Sequence, residues 1–141
     1  MEGRFLGLPA IAISLDSWGG RGLETAGRVA ERLVAKLLDT PLPPDSILNV
    51  NVPSLPDGAE PAFESTRLGH RHRAEPVVPG TDPRGREIYW VGAAGPEADA
   101  GPGTDFHAIA SGRVSVTPLQ VDLTRHTALP GLAAWLATGE G

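Results

Sequence analysis

The side chains with which this chain could do chemistry are four histidines, seventeen carboxylates and scattered hydroxyls and amides; there is no cysteine. His70 and His72 stand two apart, so on a strand both rings would face one side, as a two-histidine metal site needs. Arg71 and Arg73 interleave them, and like charge opposes a cation, so a solvated basic tip is the plainer reading. Together with Arg67 these arginines could instead draw an anionic substrate toward an active site. Asp105 with His107, and Asp122 with His126, have the composition of acid–base pairs, but no G-x-S-x-G elbow and no cysteine supplies a nucleophile to complete a triad. Asp105 is therefore read as a helix cap, and Asp122 with His126 as a hydrogen-bonded pair that fixes the direction of the tail. Gly20-x-Gly22 falls between a strand and a helix, where a phosphate could meet helix-terminal amides. A dinucleotide fingerprint would need a third glycine where Thr25 stands, which favours a plain loop. Asn49 and Asn51 share one face of their strand and are read as boundary residues in preference to a cleft wall.

These groups need elements to hold them. Around residues 104–112 the chain reads as a short helix, with Thr104 or Asp105 accepting from first-turn amides and Gly112 ending it left-handed. A strand follows at Val114–Leu119, with Val114, Val116 and Leu119 alternating against Ser115 and Thr117, and Pro118 is expected to break its ladder. Residues 10–15 form a short apolar run, as expected for a strand buried on both faces of a parallel sheet. Residues 23–38 carry Leu23, Ala26, Ala30, Leu33, Val34 and Leu37 at helical spacing, with Arg28, Arg32 and Lys36 expected on the wet side. Prolines 41, 43 and 44 stop that helix, and residues 47–52 alternate apolar with Asn49 and Asn51 as a second strand, giving the ingredients of a right-handed parallel unit.

Beyond residue 62 the pattern becomes β with polar interruptions. Residues 63–68 read as a strand, and Val77, Val78 and residues 88–91 flank a turn in which Pro83 fixes φ and Gly85 relieves it. The hairpin carries Tyr89 and Trp90 with few apolar partners nearby, so Val77, Val78, Ile88, Tyr89 and Trp90 are expected to contact another subunit. Residues 130–138, with Leu132, Trp135 and Leu136 on one face, read as an amphipathic helix too short to persist without a packing surface.

A net charge of −5 argues against nucleic-acid polymers and anionic membranes as partners. The absence of cysteine excludes a disulfide framework and thiolate metal sites, and with no signal-like N-terminus and no membrane-length apolar run the expected location is cytoplasmic. Eighteen glycines and fourteen prolines imply many turns and extended arms.

The stretch GPGTDFHAIASGRVSVTPLQVDLT at residues 101–124 resembles the SurE family of metal-dependent "survival" nucleotidases, whose members carry G-T-D-x-x-A-x-x-x-G-x-V-S-x-T-P-L-x-x-D-L-T near their C-terminus. Met1-Glu2-Gly3-Arg4-x-Leu6-Gly7-x-Pro9-Ala10, Ile13-Ser14-Leu15, Ile47-Leu48-Asn49-Val50-Asn51-Val52-Pro53, Asp82-Pro83-Arg84-Gly85 and Tyr89-Trp90-x-Gly92 agree in the same order. The resemblance implies the later half of that family, starting inside the helix that follows its Ser-Gly-Thr. It implies a partial three-layer α/β/α fold with a mixed sheet: a core portion over residues 1–61, a hairpin oligomerisation arm over 62–100, and a returning strand with a C-terminal helix over 101–141.

The function so implied is hydrolysis of nucleoside monophosphates with a divalent metal, magnesium or manganese, in the complete enzyme. The family's metal ligands, two consecutive aspartates, a serine and an asparagine in a Gly-rich loop, have no counterpart here, since no two acidic residues are adjacent and no G-x-N-x-G occurs. The chain alone is therefore expected to hold no metal, to be inactive and a poor autonomous folder, and to partner a homo-oligomer and the family's N-terminal half. A non-catalytic interaction module, a truncated product, and an anion-binding module built on the Gly19–Gly22 loop remain as other readings.

Overall fold

A computed structural model describes residues 1–17, 21–56 and 58–138. In chain order the elements are β1 (Ala10–Asp16), α1 (Leu23–Asp39), β2 (Ile47–Pro53), β3 (Phe63–Ser65), β4 (His70–Arg71), β5 (Val78–Thr81), β6 (Glu87–Trp90), β7 (Glu97–Asp99), α2 (Asp105–Ala110), β8 (Val114–Leu119) and α3 (Leu129–Ala137). Four strands form a mixed sheet in the order β1-β2-β8-β3. β1 and β2 are parallel, joined by the α1 crossover, β8 runs antiparallel to β2, and β3 runs parallel to β8. The molecule is an α/β fold, with a helix on each face of this sheet.

The register divides the sheet chemically. Side chains alternate along each strand, so Ile11, Ile13 and Leu15 share a face with Leu48, Val50 and Val52, and that face continues through Val116 on β8. On it the buried core of Val29, Leu48, Val50, Val52 and Val114 packs under α1, with Ile11, Leu15, Ala26, Leu33 and Phe63 around it. Val29, 1 % exposed, is the centre of the helix contact. The buried stripe thus runs through Thr25 and Val29, rotated from the expected one, and Leu23 and Val34 stay exposed. The arginine row is not simply wet. Arg28 donates to Glu24 (2.9 Å), Thr25 (3.1 Å) and the Ala59 carbonyl (3.2 Å), and the Arg32 guanidinium lies 4.7 Å from the Phe63 ring centroid. Arginine stems cover apolar surface while their heads reach polar partners, which an apolar count along the helix does not register.

The opposite face carries Ala12, Ser14 and Asp16 on β1, Asn49 and Asn51 on β2, and Ser115 and Thr117 on β8. Its buried part is held by hydroxyls: Thr66 Oγ1 lies 2.9 Å from Ser115 Oγ and 2.7 Å from Thr117 Oγ1. Ser115 and Thr117 are therefore buried on the face opposite the valines with which they alternate.

Two strands depart from expectation in instructive ways. Among the described residues β1 is not covered on both faces: its one strand neighbour is β2, α1 shields only the Ile11/Leu15 side, and Ile13 is 37 % exposed. Pro118 does not break β8, which runs on to Leu119 with Pro118 opposite Leu48. The Thr66 amide donates to the Val116 carbonyl (3.0 Å), so Val116, and Pro118 two residues on, turn their backbone groups toward the β3 flank. β3 has ended there, and a missing N–H leaves no acceptor unpaired.

The excursion between β3 and α2 forms the arm. β3 stops at Ser65, short of the expected strand end, because Arg67 turns to bridge Thr104, its N–H donating to the Gly103 carbonyl (3.0 Å) and its carbonyl accepting from Asp105 N–H (3.0 Å). β4 pairs antiparallel with β7, and β5 with β6. The β5–β6 turn forms as the sequence suggests, with Gly85 at φ +77°. Asp82 organises it, accepting from Arg84 N (2.8 Å), Arg86 N (2.9 Å) and Arg86 Nε (2.7 Å), and these bonds hold its carboxyl below the usual range. α3 lies C-terminal to a 3-10 turn at His126–Ala128, and its Leu132, Trp135 and Leu136 are all exposed. The expected tail pair forms, with His126 Nε2 2.7 Å from Asp122 Oδ2.

Two measurements follow from these contacts. Thr66→Val keeps shape but strands two buried hydroxyls, and is expected to lower stability by ~1–3 kcal/mol, read as a shift of denaturant midpoint at unchanged slope. An unshifted midpoint would show that the hydroxyl cluster is not held as described. The Thr124 hydroxyl, then His126 and Thr124 N–H, lower the Asp122 carboxyl to about 2. With the folded pKa below the ordinary ~3.9, the pair's contribution is complete above roughly pH 4 and disappears as pH falls through the folded value. A carboxyl-carbon titration is expected to place the Asp122 midpoint at about 2 in the parent and higher in Thr124→Ala; equal midpoints would exclude the hydroxyl as the cause.

Candidate functional site

The polar face of the sheet opens into a cleft of about 450 Å³ where the carboxyl ends of β1 and β2 meet α2. Ligand crevices of open α/β sheets lie at this end of parallel strands, where loops diverge and backbone groups are free of the ladder. Ser14 and Asp16 from β1 and Asn51 from β2 form its floor; Asp105, Phe106, Ile109 and Ala110 from α2 form one wall, and Arg71 and Glu97 from the base of the arm close the other side. Asn51 thus lines the cleft, contrary to the boundary reading, because the register that buries Val50 and Val52 under α1 turns Asn51 to the polar side.

α2 is placed by its own first residues. Thr104, fully buried, is the cap: its Oγ1 accepts from His107 N (3.2 Å) and donates to the Gly101 carbonyl (2.7 Å). Asp105, the alternative cap in the sequence, instead turns its Oδ1 to Gly69 N (2.7 Å) and Phe106 N (3.0 Å). This fastens the helix to the root of the arm. Gly69 is required there, since a Cβ would come within 2.5 Å of the Phe106 ring. The helix ends at Ser111, with Gly112 at φ +68° as expected.

The arm's cations separate into distinct roles. Arg67 makes a two-pronged pair with Asp99, one prong at 2.9 Å, which raises the guanidinium and lowers the carboxylate from their ordinary pKa values. Arg71 alone of the three arginines lines the cleft; it lies 4.9 Å from the Phe106 centroid, donates to the Gly95 carbonyl (3.3 Å) and approaches Glu97 at 4.0 Å.

The histidines do not converge with these groups. His70 faces Asp99 at 3.8 Å, a register shift separates it from Arg71, and His72 donates its backbone N–H to the Pro96 carbonyl, so the two rings do not stand on one regular strand. His107 is absent from the cleft wall that Asp105 joins, and its Nδ1 is buried without a hydrogen-bond partner among the described residues. Gly22 caps α1 at φ +86°, whereas residues 18–20, which complete the glycine loop, lie outside the described residues. No three His, Asp or Glu side chains come together as a metal-binding set among the described residues. The sequence contains one signal for the cleft that strand-by-strand reading passes over: Ser14 and Asn51 stand opposite each other on β1 and β2, a polar pair visible only once the strands are registered.

The model of the family described as "Survival protein SurE" matches residues 1–75. Proteins named 5'-nucleotidase SurE from Nitrosococcus oceani and Alkalilimnicola ehrlichii are 65 % and 62 % identical, each over 96 % of this chain and over 54 % and 53 % of their own lengths. The crystal structure of the SurE protein from Aquifex aeolicus superposes with a TM-score of 0.74 at 37 % identity, covering 95 % of this chain and 54 % of that one. The chain therefore spans about half the length of the curated relatives it matches. A polar cleft at the carboxyl ends of parallel strands, an arm rooted beside it and relatives this close over nearly every residue place the chain in the SurE family.

Proposed function

We propose that this chain forms the cleft-wall half of a SurE-type nucleotidase, an enzyme that hydrolyses nucleoside monophosphates to nucleoside and phosphate with a divalent metal. The observation carrying this reading is the cleft itself: Ser14, Asp16, Asn51 and Asp105 around one opening, in a chain 65 % identical to a protein named 5'-nucleotidase. The described residues do not fit a resident metal, because no three His, Asp or Glu side chains among them stand close enough together to hold one. The role of this half is to bind and orient. Ser14 and Asn51 supply hydrogen bonds, α2 and Arg71 narrow the opening, and the β1–β2 pairing fixes the distance between them. A cytoplasmic setting belongs to the same proposal; no helix among the described residues is long and apolar enough to cross a membrane.

In the same reading the arm and tail assemble the oligomer, through Val77, Val78, Ile88, Tyr89 and Trp90 and through α3. Tyr89 and Trp90 are each 65 % exposed on a two-stranded arm, which supports this use.

Activity is tested by comparing this chain alone with a chimera in which it replaces its counterpart in the Nitrosococcus oceani relative. Magnesium- or manganese-stimulated phosphate release from nucleoside monophosphates is expected from the chimera and not from the chain alone. Robust release by the chain alone would overturn the division of labour, and an inactive chimera would overturn the nucleotidase reading. For assembly, each aromatic can bury ~150–250 Å² at an interface, so Tyr89→Ala/Trp90→Ala is expected to sediment as a smaller species at equal concentration. A parental sedimentation profile would remove the arm as the contact.

A further inference from the structure

The charge on the cleft does not suit a phosphate. Among the described residues Asp16, Glu97 and Asp105 face it against Arg71 alone, and Arg71 already has Glu97 at 4.0 Å and the Gly95 carbonyl at 3.3 Å. A doubly charged phosphate lodged here would meet three carboxylates with one cation in use elsewhere. A neutral ligand rich in hydroxyls and N–H groups would meet acceptors. Resting on the nucleotidase reading, we propose that this wall binds the nucleoside end of the substrate, its sugar hydroxyls and base, and leaves the phosphate to the far side of the cleft.

Three features make the wall a built site. Asp105 is held by Gly69 N and Phe106 N, and both bonds fall on Oδ1, so Oδ2 has no partner among the described residues and is aimed by a fixed carboxylate. Asn51 presents an amide that both donates and accepts, fixed on the central strand between Ser14 and Ser115. Phe106, with the Arg71 guanidinium over its ring at 4.9 Å, and Ile109 and Ala110 beyond it give the wall a planar and apolar stretch beside those acceptors, against which a base can pack. The cleft volume of about 450 Å³ lies within the range of small-molecule sites. Carboxylate and amide acceptors set for sugar hydroxyls discriminate strongly, because a substrate lacking those hydroxyls leaves them desolvated and unpaired. Asn51, Asp105 and Phe106 are thus specificity-determining residues.

The test uses the chimera with the Nitrosococcus oceani relative and two substrates, adenosine monophosphate and phenyl phosphate, the second carrying the reacting group without sugar or purine. Asp105→Asn keeps the acceptor for Gly69 and removes the charge on the ligand side; Asn51→Ala removes the amide. Each is expected to lower the ratio of kcat/KM for adenosine monophosphate to that for phenyl phosphate about tenfold, mainly through KM. Equal losses on both substrates, or no loss on either, in an active parent would overturn the assignment and leave the nucleotidase reading intact. A parent that turns over phenyl phosphate but no nucleoside monophosphate would overturn both. Ile109 methyl signals provide a readout independent of turnover: adenosine is expected to shift them and inorganic phosphate to leave them in place, and the reverse pattern would overturn the proposal.

Discussion

The register of β2 is the constraint from which the rest of this molecule follows. Its side chains alternate between Leu48, Val50 and Val52 on the α1 side and Asn49 and Asn51 on the other, and both neighbouring strands obey the same parity. A slip of one residue would bring two asparagines under α1 and expose three core aliphatics, so register is strongly specified. Every later feature depends on it: the seat of Val29, the buried hydroxyl cluster, and a cleft whose floor is polar because the opposite face is not.

The two faces are stabilised by different physics. Under α1 the close-packed valines and leucines contribute mainly by apolar burial, which is non-directional and tolerates repacking. On the other face Thr66, Ser115 and Thr117 satisfy one another in a low-dielectric setting, where each bond depends on its geometry and each lost partner leaves a desolvated group. That makes the cleft side the directional one. It is also the side that carries the groups proposed to recognise substrate.

Much of this was legible in the sequence because it is local. Thr104 to Leu119 read as capped helix, left-handed stop and strand, and the structure has those elements, since caps, glycine stops and alternation act over a few residues. The parallel β1–α1–β2 unit and the Asp82 turn followed for the same reason. What was missed is non-local. Whether Asn51 lies at a boundary or in a cleft wall depends on which strands flank it and which helix covers them. Pro118 reads as a breaker until the end of β3 is known. Asp105 reads as a cap because nothing in sequence announces the Gly69 amide thirty-six positions away. The buried helix face lies about one position from the expected one because Thr25 buries beside Val29 while Arg28 and Arg32 cover the rim, and a count of apolar residues places Thr25, Arg28 and Arg32 in solvent.

The way the arm leaves and rejoins the core has a consequence for how this chain can vary. Arg67 and Thr104 bridge each other directly, and Arg67–Asp99 and Gly69–Asp105 clamp the same junction, so departure and return lie side by side on one closed neck. For a loop whose ends are already joined, doubling its length adds only ~0.6 kcal/mol of closure entropy. Residues can therefore be inserted in or deleted from the β5–β6 hairpin with little effect on the sheet, provided the neck is kept. The arm's length and tip can thus change while the sheet stands, whereas a change at the neck reaches the cleft through Asp105, which belongs to both.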